Sequence, residues 1–192
     1  MFRDVERVAR GVVVGATRVL LGRVETAWAD PHHELRQSIW ITPFADRVSI
    51  EVELYPGLLV AEEFVAALDA DGDGMISEDE ALAYVRGLVG SSMHARFGAS
   101  EVTLRLERVR CAPFEALRAS DGTLVFELSA DAPSTDGVRE VAVSYSHAPA
   151  HSTVQLSVTL PLEEPVLVEQ IDRTADGSTL TVRYMPRVAV AS

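Results

Sequence analysis

Hydrophobic and polar residues alternate with a period of two along most of the chain from residue 38 onward. Successive side chains of a β-strand point to opposite faces of a sheet, so this alternation predicts strands with one buried face. Asp-Gly steps and prolines separate the alternating runs, as expected for turns. The pattern predicts about eight strands, at Ser38–Thr42, Val48–Leu54, Val102–Leu106, Thr123–Leu128, Glu140–Tyr145, Val154–Leu160, Val166–Ile171 and Thr179–Tyr184. Short strands at this spacing predict a mainly β protein that folds as a β-sandwich.

The hydrophobic period becomes helical in one segment, residues 56–90, between the second and third predicted strands. Apolar residues recur there at the spacing of one helix face, on both sides of a polar loop. In the first predicted helix they are Leu58, Ala61, Val65 and Leu68, and in the second they are Leu82, Val85 and Val89. Gly90 is suited to end the second helix. The sequence thus predicts a β-sandwich with an α-helical insertion.

The loop between the predicted helices is a twelve-residue acidic stretch, Asp69–Glu80. Ca²⁺ is a hard cation that takes about six to eight oxygen ligands, and loop positions 1, 3, 5, 7, 9 and 12 can supply them. These predicted ligands are Asp69, Asp71, Asp73, the main-chain carbonyl of Met75, Ser77 and Glu80. Gly74 stands at position 6, where the chain must turn sharply. Ser77 and Glu80 also fit a capping box at the start of the second helix.

The loop and its two flanking helices resemble the EF-hand family of calcium-binding proteins. Members of that family usually carry hands in pairs, but the Asp-Gly steps at Asp121, Asp136 and Asp176 do not fit the ligand pattern. A single hand is therefore expected. It favours a structural role for Ca²⁺, and the alternative is a calcium sensor whose helix pair opens when Ca²⁺ binds.

Composition excludes several classes of protein. The chain has 192 residues, of which 47% are hydrophobic and 24% charged, as is ordinary for one globular domain. Its net charge is −12, so nucleic-acid binding is not expected. No apolar run approaches the roughly 18 residues of a membrane span. The sequence contains no motif for nucleophilic, zinc-dependent, phosphate-binding or dithiol chemistry. Its single cysteine, Cys111, is expected to be a small buried residue at a strand end. The chain is therefore expected not to be an enzyme.

The first thirty residues have two interpretations. Arginines near the start, the short apolar run Gly11–Thr17 and the A-x-A pattern Ala27–Ala29 favour a degenerate signal peptide, with the folded domain at residues 31–190. That interpretation predicts a periplasmic or secreted protein. The alternative is an amphipathic N-terminal helix, in which case the protein is expected to be cytoplasmic.

The order of parts over residues 31–186 resembles the extracytoplasmic domain found beside bacterial nickel/cobalt transport proteins. The matching parts are a start near Asp30–His33, two strands, the calcium hand and a final strand at Ser178–Tyr184. The resemblance implies an accessory module whose partner is a membrane metal transporter. That family opens on His-Pro-His, and the first of these histidines is missing here. His32 and His33 are the candidate ligands for a second metal, together with the terminal amine that cleavage would create.

Overall fold

The computed structural model describes residues 33–134, 137–162 and 166–186, and ten strands and three helices lie within these ranges. The strands are β1 (Leu35–Pro43), β2 (Arg47–Pro56), β3 (Met93–Phe97), β4 (Ser100–Val102), β5 (Arg105–Cys111), β6 (Leu124–Asp131), β7 (Arg139–Tyr145), β8 (Ser152–Val158), β9 (Val166–Arg173) and β10 (Thr179–Pro186). The helices are α1 (Ala61–Leu68), α2 (Glu78–Ser92) and α3 (Phe114–Arg118). The predicted mainly β fold with a helical insertion is confirmed. The signal peptide or helix predicted within residues 1–30 lies outside the described residues.

The strands form two five-stranded sheets. Sheet A has the order β5-β6-β2-β1-β8, and sheet B has the order β4-β3-β7-β10-β9. Every neighbouring pair is antiparallel except β1 and β8, which run parallel. Burial alternates residue by residue along β1 and β2, as the period-two pattern predicts.

One hydrophobic core receives the inner faces of both sheets. Sheet A contributes Ile39, Ile50 and Phe126, and sheet B contributes Val143 and Val182, all of them fully buried. Burying one such side chain stabilises the fold by roughly 1.5–3 kcal/mol. The shared core makes the two sheets a sandwich.

A buried hydrogen bond also joins the two sheets. The Tyr145 hydroxyl on β7 donates to Gln37 Oε1 on β1 at 2.6 Å, and Gln37 Nε2 donates to the His147 carbonyl at 3.0 Å. Gln37 is only 1% exposed, and these two hydrogen bonds supply the polar partners that its buried amide requires.

The sequence predicted about eight strands, and the described residues contain ten. Strand β3 was missed: it follows α2 without any connecting residue, so the helical pattern concealed it. The predicted strand Val102–Leu106 is divided instead between β4, which ends at Val102, and β5, which begins at Arg105. The five-residue helix α3 was also not predicted.

The helical insertion lies between β2 and β3, close to its predicted bounds, but both helices differ in detail. α1 begins at Ala61 rather than Leu58, because residues 57–60 form a turn in which the Val60 amide donates to the Gly57 carbonyl at 3.0 Å. Leu58 is 56% exposed and does not belong to the buried face.

α2 runs through Gly90 to Ser92. Its buried apolar residues are Ala81, Val85 and Leu88, whereas the predicted Leu82 and Val89 are only partly buried. The helix is therefore rotated slightly from the orientation that the sequence predicted.

The insertion connects sheet A to sheet B and packs into the common core. Phe64, Val65 and Leu68 of α1 are buried there, and the Phe64 ring meets the Tyr84 ring of α2 edge to face at 5.9 Å. The helix pair is therefore part of the folded body. None of the helices in the described ranges combines the length and the apolar character that a membrane crossing would need.

Candidate metal centre

The loop between α1 and α2 leaves the first helix at Asp69, whose amide caps that helix by donating to the Val65 carbonyl at 2.8 Å. Gly72 and Gly74 both adopt left-handed backbone conformations, with φ of 74° and 79°. Glycine adopts this conformation without steric cost. Sequence reasoning identified Gly74 but missed Gly72, although the repeated Asp-Gly step is a usable signal for both.

Asp69 is the acceptor around which the loop folds. Its Oδ1 accepts hydrogen bonds from the amides of Gly72 at 2.9 Å and Asp73 at 3.1 Å, and its Oδ2 accepts from the Gly74 amide at 3.0 Å. Three amides on one carboxylate fix both the side chain and the turn.

The next two aspartates repeat this arrangement on a smaller scale. Asp71 Oδ1 accepts from the Asp73 amide at 3.1 Å, and Asp73 Oδ1 accepts from the Met75 amide at 2.8 Å. Each side chain is thus held by the backbone two residues ahead of it, an Asx-type turn.

These bonds bring three carboxylates together. One oxygen from each of Asp69, Asp71 and Asp73 lies within 4.8 Å of the other two. Asp69 is partly buried, and the other two are exposed. Three like charges at this separation repel one another. A hard divalent cation between their oxygens would attract all three carboxylates and outweigh this repulsion. The donor set fits Ca²⁺ or Mg²⁺ in its chemistry.

Glu80 lies outside this group of three but closes the loop by hydrogen bonds. Its Oε1 accepts from the amides of Ala70 at 2.7 Å and Asp71 at 3.3 Å. Its Oε2 accepts from the Ser77 amide at 2.8 Å and the Ser77 hydroxyl at 2.7 Å. In return Ser77 Oγ accepts from the Glu80 amide at 3.2 Å, which confirms the predicted capping box.

The same bonds favour the charged form of Glu80. The Ser77 amide, then the Ser77 hydroxyl, and then the amides of Asp71 and Ala70 lower the pKa of Glu80 from 4.5 to about 2, against an opposing effect of desolvation. Glu80 is therefore an anion at every physiological pH.

The other predicted ligands lie on the same loop. The Met75 side chain carries no oxygen, so only the main-chain carbonyl of Met75 could serve as a Ca²⁺ ligand. Ile76 is partly buried against the core and anchors the loop to the body of the protein. Ile76 stands at position 8 of the loop, directly after Met75.

Of the two histidines predicted to bind a second metal, only His33 can be compared with this centre. His32 lies outside the described residues, and His33 is exposed just before β1. In the part of the chain that the structure describes, the aspartate cluster is the one group of three or more potential ligands with adjacent donor atoms, and it does not include His33. The second metal site stays a prediction.

Cys111 is the last residue of β5 and is partly buried. Burial raises the pKa of its thiol to about 11. Reactive cysteines have lowered pKa values, so this environment does not activate Cys111 as a nucleophile.

Comparison with known proteins gives no match: no protein-family model fits the chain, and no curated protein or solved structure is significantly similar to it. The functional assignment therefore depends on the chemistry of the loop itself.

Proposed function

We propose that this chain is a calcium-binding β-sandwich in which the Asp69–Glu80 loop acts as a single EF-hand and the bound ion stabilises the fold. One observation carries the proposal: backbone amides hold oxygens of Asp69, Asp71 and Asp73 within 4.8 Å of each other. Such an arrangement costs electrostatic free energy, and a bound cation removes that cost.

The proposed ligand set is the one that the loop positions predict. Asp69, Asp71, Asp73 and Glu80 supply carboxylate oxygens, Met75 supplies its carbonyl oxygen, and Ser77 acts through a water molecule. Glu80 supplies two oxygens once it turns from the amides to the ion. Ca²⁺ accepts this irregular set of oxygens, whereas Mg²⁺ requires near-octahedral geometry and retains its waters, so Ca²⁺ is the proposed ion.

Burial of the helix pair supports a structural role over a sensor role. Phe64 and Leu68 on α1, and Val85 and Leu88 on α2, belong to the same core as the sheets. Opening the helices would expose these side chains at roughly 1.5–3 kcal/mol each. A calcium sensor would show calcium-dependent binding of a hydrophobic dye, and a structural site would leave dye binding unchanged.

Thermal unfolding with Ca²⁺ and with a chelator tests the proposal. An ion that binds only the folded state stabilises it by about 2.7 kcal/mol at one hundred times its dissociation constant. The melting temperature should rise with Ca²⁺ in the wild type and should rise little in Asp69→Ala. Equal melting temperatures in Ca²⁺ and in chelator would contradict a stabilising site.

We also propose that the module is extracytoplasmic, periplasmic or secreted, and accessory to a membrane metal transporter. The support is the order of parts along the sequence and the A-x-A pattern at Ala27–Ala29. Fractionation of cells that express the full chain tests the location, and mass spectrometry of the mature N-terminus tests the cleavage.

Titration with Ni²⁺ or Co²⁺, in the wild type and in a His32→Ala, His33→Ala double variant, tests the second metal. Equal affinity in the two proteins would remove the histidines from the proposal.

A further inference from the structure

The sulfur-containing side chains of this protein differ widely in their exposure to solvent. The sequence has four methionines and one cysteine, and all of them except Met1 lie among the described residues. Met75, in the loop between α1 and α2, is 64% exposed, whereas Met93, at the start of β3, is 4% exposed and packs into the core. Met185 on β10 is partly buried. Met75 therefore carries the most exposed thioether of the described residues.

The loop holds Met75 in place through its main chain. The Met75 amide donates a hydrogen bond to Asp73 Oδ1 at 2.8 Å, and the next residue, Ile76, packs against the core. The Met75 side chain is not part of that core. The fold thus presents this thioether to solvent at a defined position and does not depend on it for packing.

Access from solvent decides which thioether reacts with a peroxide. The sulfur lone pair attacks the terminal peroxide oxygen, so an S–O bond forms while the O–O bond breaks. The proton of the attacked oxygen moves to the departing oxygen, which leaves as water or as an alcohol. Sulfur loses two electrons and the peroxide gains them, which gives methionine sulfoxide. The core around Met93 shields its sulfur from this attack, whereas the sulfur of Met75 is open to it.

The thiol of Cys111 does not compete with Met75 for peroxide. The thiolate is the nucleophilic form of cysteine, and burial raises the pKa of the Cys111 thiol to about 11. At pH 7 the thiolate is then only about one part in 10⁴. Cys111 is also partly buried at the end of β5. The fold therefore directs peroxide to Met75 and away from the cysteine.

We propose that Met75 is the site, among the described residues, at which hydroperoxides oxidise this protein, and that its oxidation is sacrificial. A sulfoxide is polar, so it would disrupt the apolar surroundings of Met93, but on Met75 it lies in solvent. The fold keeps its stability while the core methionine is spared. Methionine sulfoxide reductases return a sulfoxide to the thioether, so the reaction at Met75 can be repeated.

Peptide mapping of the folded full chain tests the proposal, after treatment with hydrogen peroxide at pH 7 in the presence of a chelator. Cleavage after arginine leaves the three described methionines on separate peptides, residues 48–86, 87–96 and 184–187. Addition of one oxygen should be at least about tenfold faster at Met75 than at Met93, and it should be faster at Met75 than at Met185. In urea the three rates should become similar, because unfolding removes the differences in exposure.

Met75→Leu is the matched variant, because it removes the sulfur and keeps an apolar side chain of similar volume. It should lose the fastest oxidation of the described residues, whereas Met185→Leu should retain it. Wild-type protein oxidised at Met75 should melt within about 2 °C of the untreated protein, as expected for a change at an exposed side chain.

A ratio of the Met75 rate to the Met93 rate below about ten in the folded chain would overturn the assignment. So would oxidation at Met185, or on the Cys111 peptide, that is as fast as oxidation at Met75. A melting temperature that falls by more than about 2 °C when Met75 alone is oxidised would overturn the sacrificial role. All of these measurements are made in chelator, so they do not depend on whether Ca²⁺ binds.

Discussion

Glu80 Oε1 accepts a hydrogen bond of 2.7 Å from the amide of Ala70, ten residues earlier in the chain. This bond joins the first turn of α2 to the residue that follows Asp69, so the two ends of the loop are fixed to each other. The bond keeps the ion-free loop closed, so less conformational entropy is lost when the ion binds, and Glu80 gives the bond up as it turns to the ion. The relationship makes Glu80 the residue that couples the helix pair to the aspartate cluster.

Replacing Glu80 by glutamine should therefore weaken Ca²⁺ binding more than its small change in size suggests. Glu80→Gln removes one negative charge and one of the two carboxylate oxygens. The dissociation constant should rise at least about tenfold, which corresponds to about 1.4 kcal/mol. Met75→Ala is the matched control, because Met75 contributes only main chain and its side chain is 64% exposed, and it should leave the constant within about twofold. Isothermal titration calorimetry measures the Ca²⁺ dissociation constants of both variants. Equal changes in the two variants would indicate that Ca²⁺ binds an acidic surface patch and not a formed loop.

Removing the Tyr145 hydroxyl should destabilise the sandwich. Tyr145→Phe leaves Gln37 Oε1 without its donor in the core, which costs about 1–3 kcal/mol of unfolding free energy. Tyr84→Phe is the control, since the Tyr84 hydroxyl has no hydrogen-bond partner within the described residues and Tyr84 is only partly buried. Urea unfolding at neutral pH measures both variants. A loss no larger in Tyr145→Phe than in Tyr84→Phe would show that the hydrogen bond between the sheets contributes little.

Two glycine-to-alanine changes should have opposite signs. A Cβ on Gly122 would lie 2.6 Å from the Ala112 Cβ and 3.2 Å from Ala116, so Gly122→Ala should destabilise the fold by about 1–3 kcal/mol. A Cβ on Gly87, inside α2, would meet nothing within 4 Å. Gly87→Ala should therefore stabilise the protein by about 0.5–1 kcal/mol. Thermal unfolding of the pair reports both signs, and a stabilising Gly122→Ala would contradict the packing of α3 against the end of β5.

Alkylation of Cys111 should be slow and steeply dependent on pH. Burial raises the pKa of its thiol to about 11, so the reactive thiolate stays scarce until the pH approaches that value. At pH 8 the folded protein should react with iodoacetamide roughly a hundredfold more slowly than the denatured protein, whose thiol has a pKa near 8.5. The rate should rise about tenfold per pH unit between pH 7 and 10, as expected for a thiolate fraction below its pKa. A rate that levels off near pH 9 would show that Cys111 is more accessible than the structure places it.

The period-two pattern predicted strands correctly where a strand was long and had one solvent-facing side. Val48–Leu54 predicted β2 correctly because each inward residue is fully buried and each outward one is polar or charged. The capping box at Ser77 and Glu80 was also predictable, because it depends on two residues three apart.

The elements that were missed are short or joined directly to another element. Strand β3 alternates correctly, with Met93, Ala95 and Phe97 buried, but it begins at the residue after α2 and offers too few residues for an independent pattern. The exposure of Leu58 was not predictable from helical spacing, because the turn at Gly57–Val60 moves the start of α1 to Ala61. The hydrogen bonds of Glu80 with the amides of Ala70 and Asp71 form only when the loop closes in three dimensions, and residue spacing alone does not predict them.

Calorimetric titration of the folded, metal-stripped protein with millimolar Ca²⁺ tests the central claim most directly. The loop that Asp69 and Glu80 close should give saturable binding of about one ion per chain, with a dissociation constant at or below the roughly 10⁻⁴–10⁻³ M of extracellular calcium modules. The binding should weaken at least about tenfold in Glu80→Gln. A folded protein that gives no saturable binding heat at several temperatures, and whose melting temperature Ca²⁺ leaves unchanged, would contradict the account.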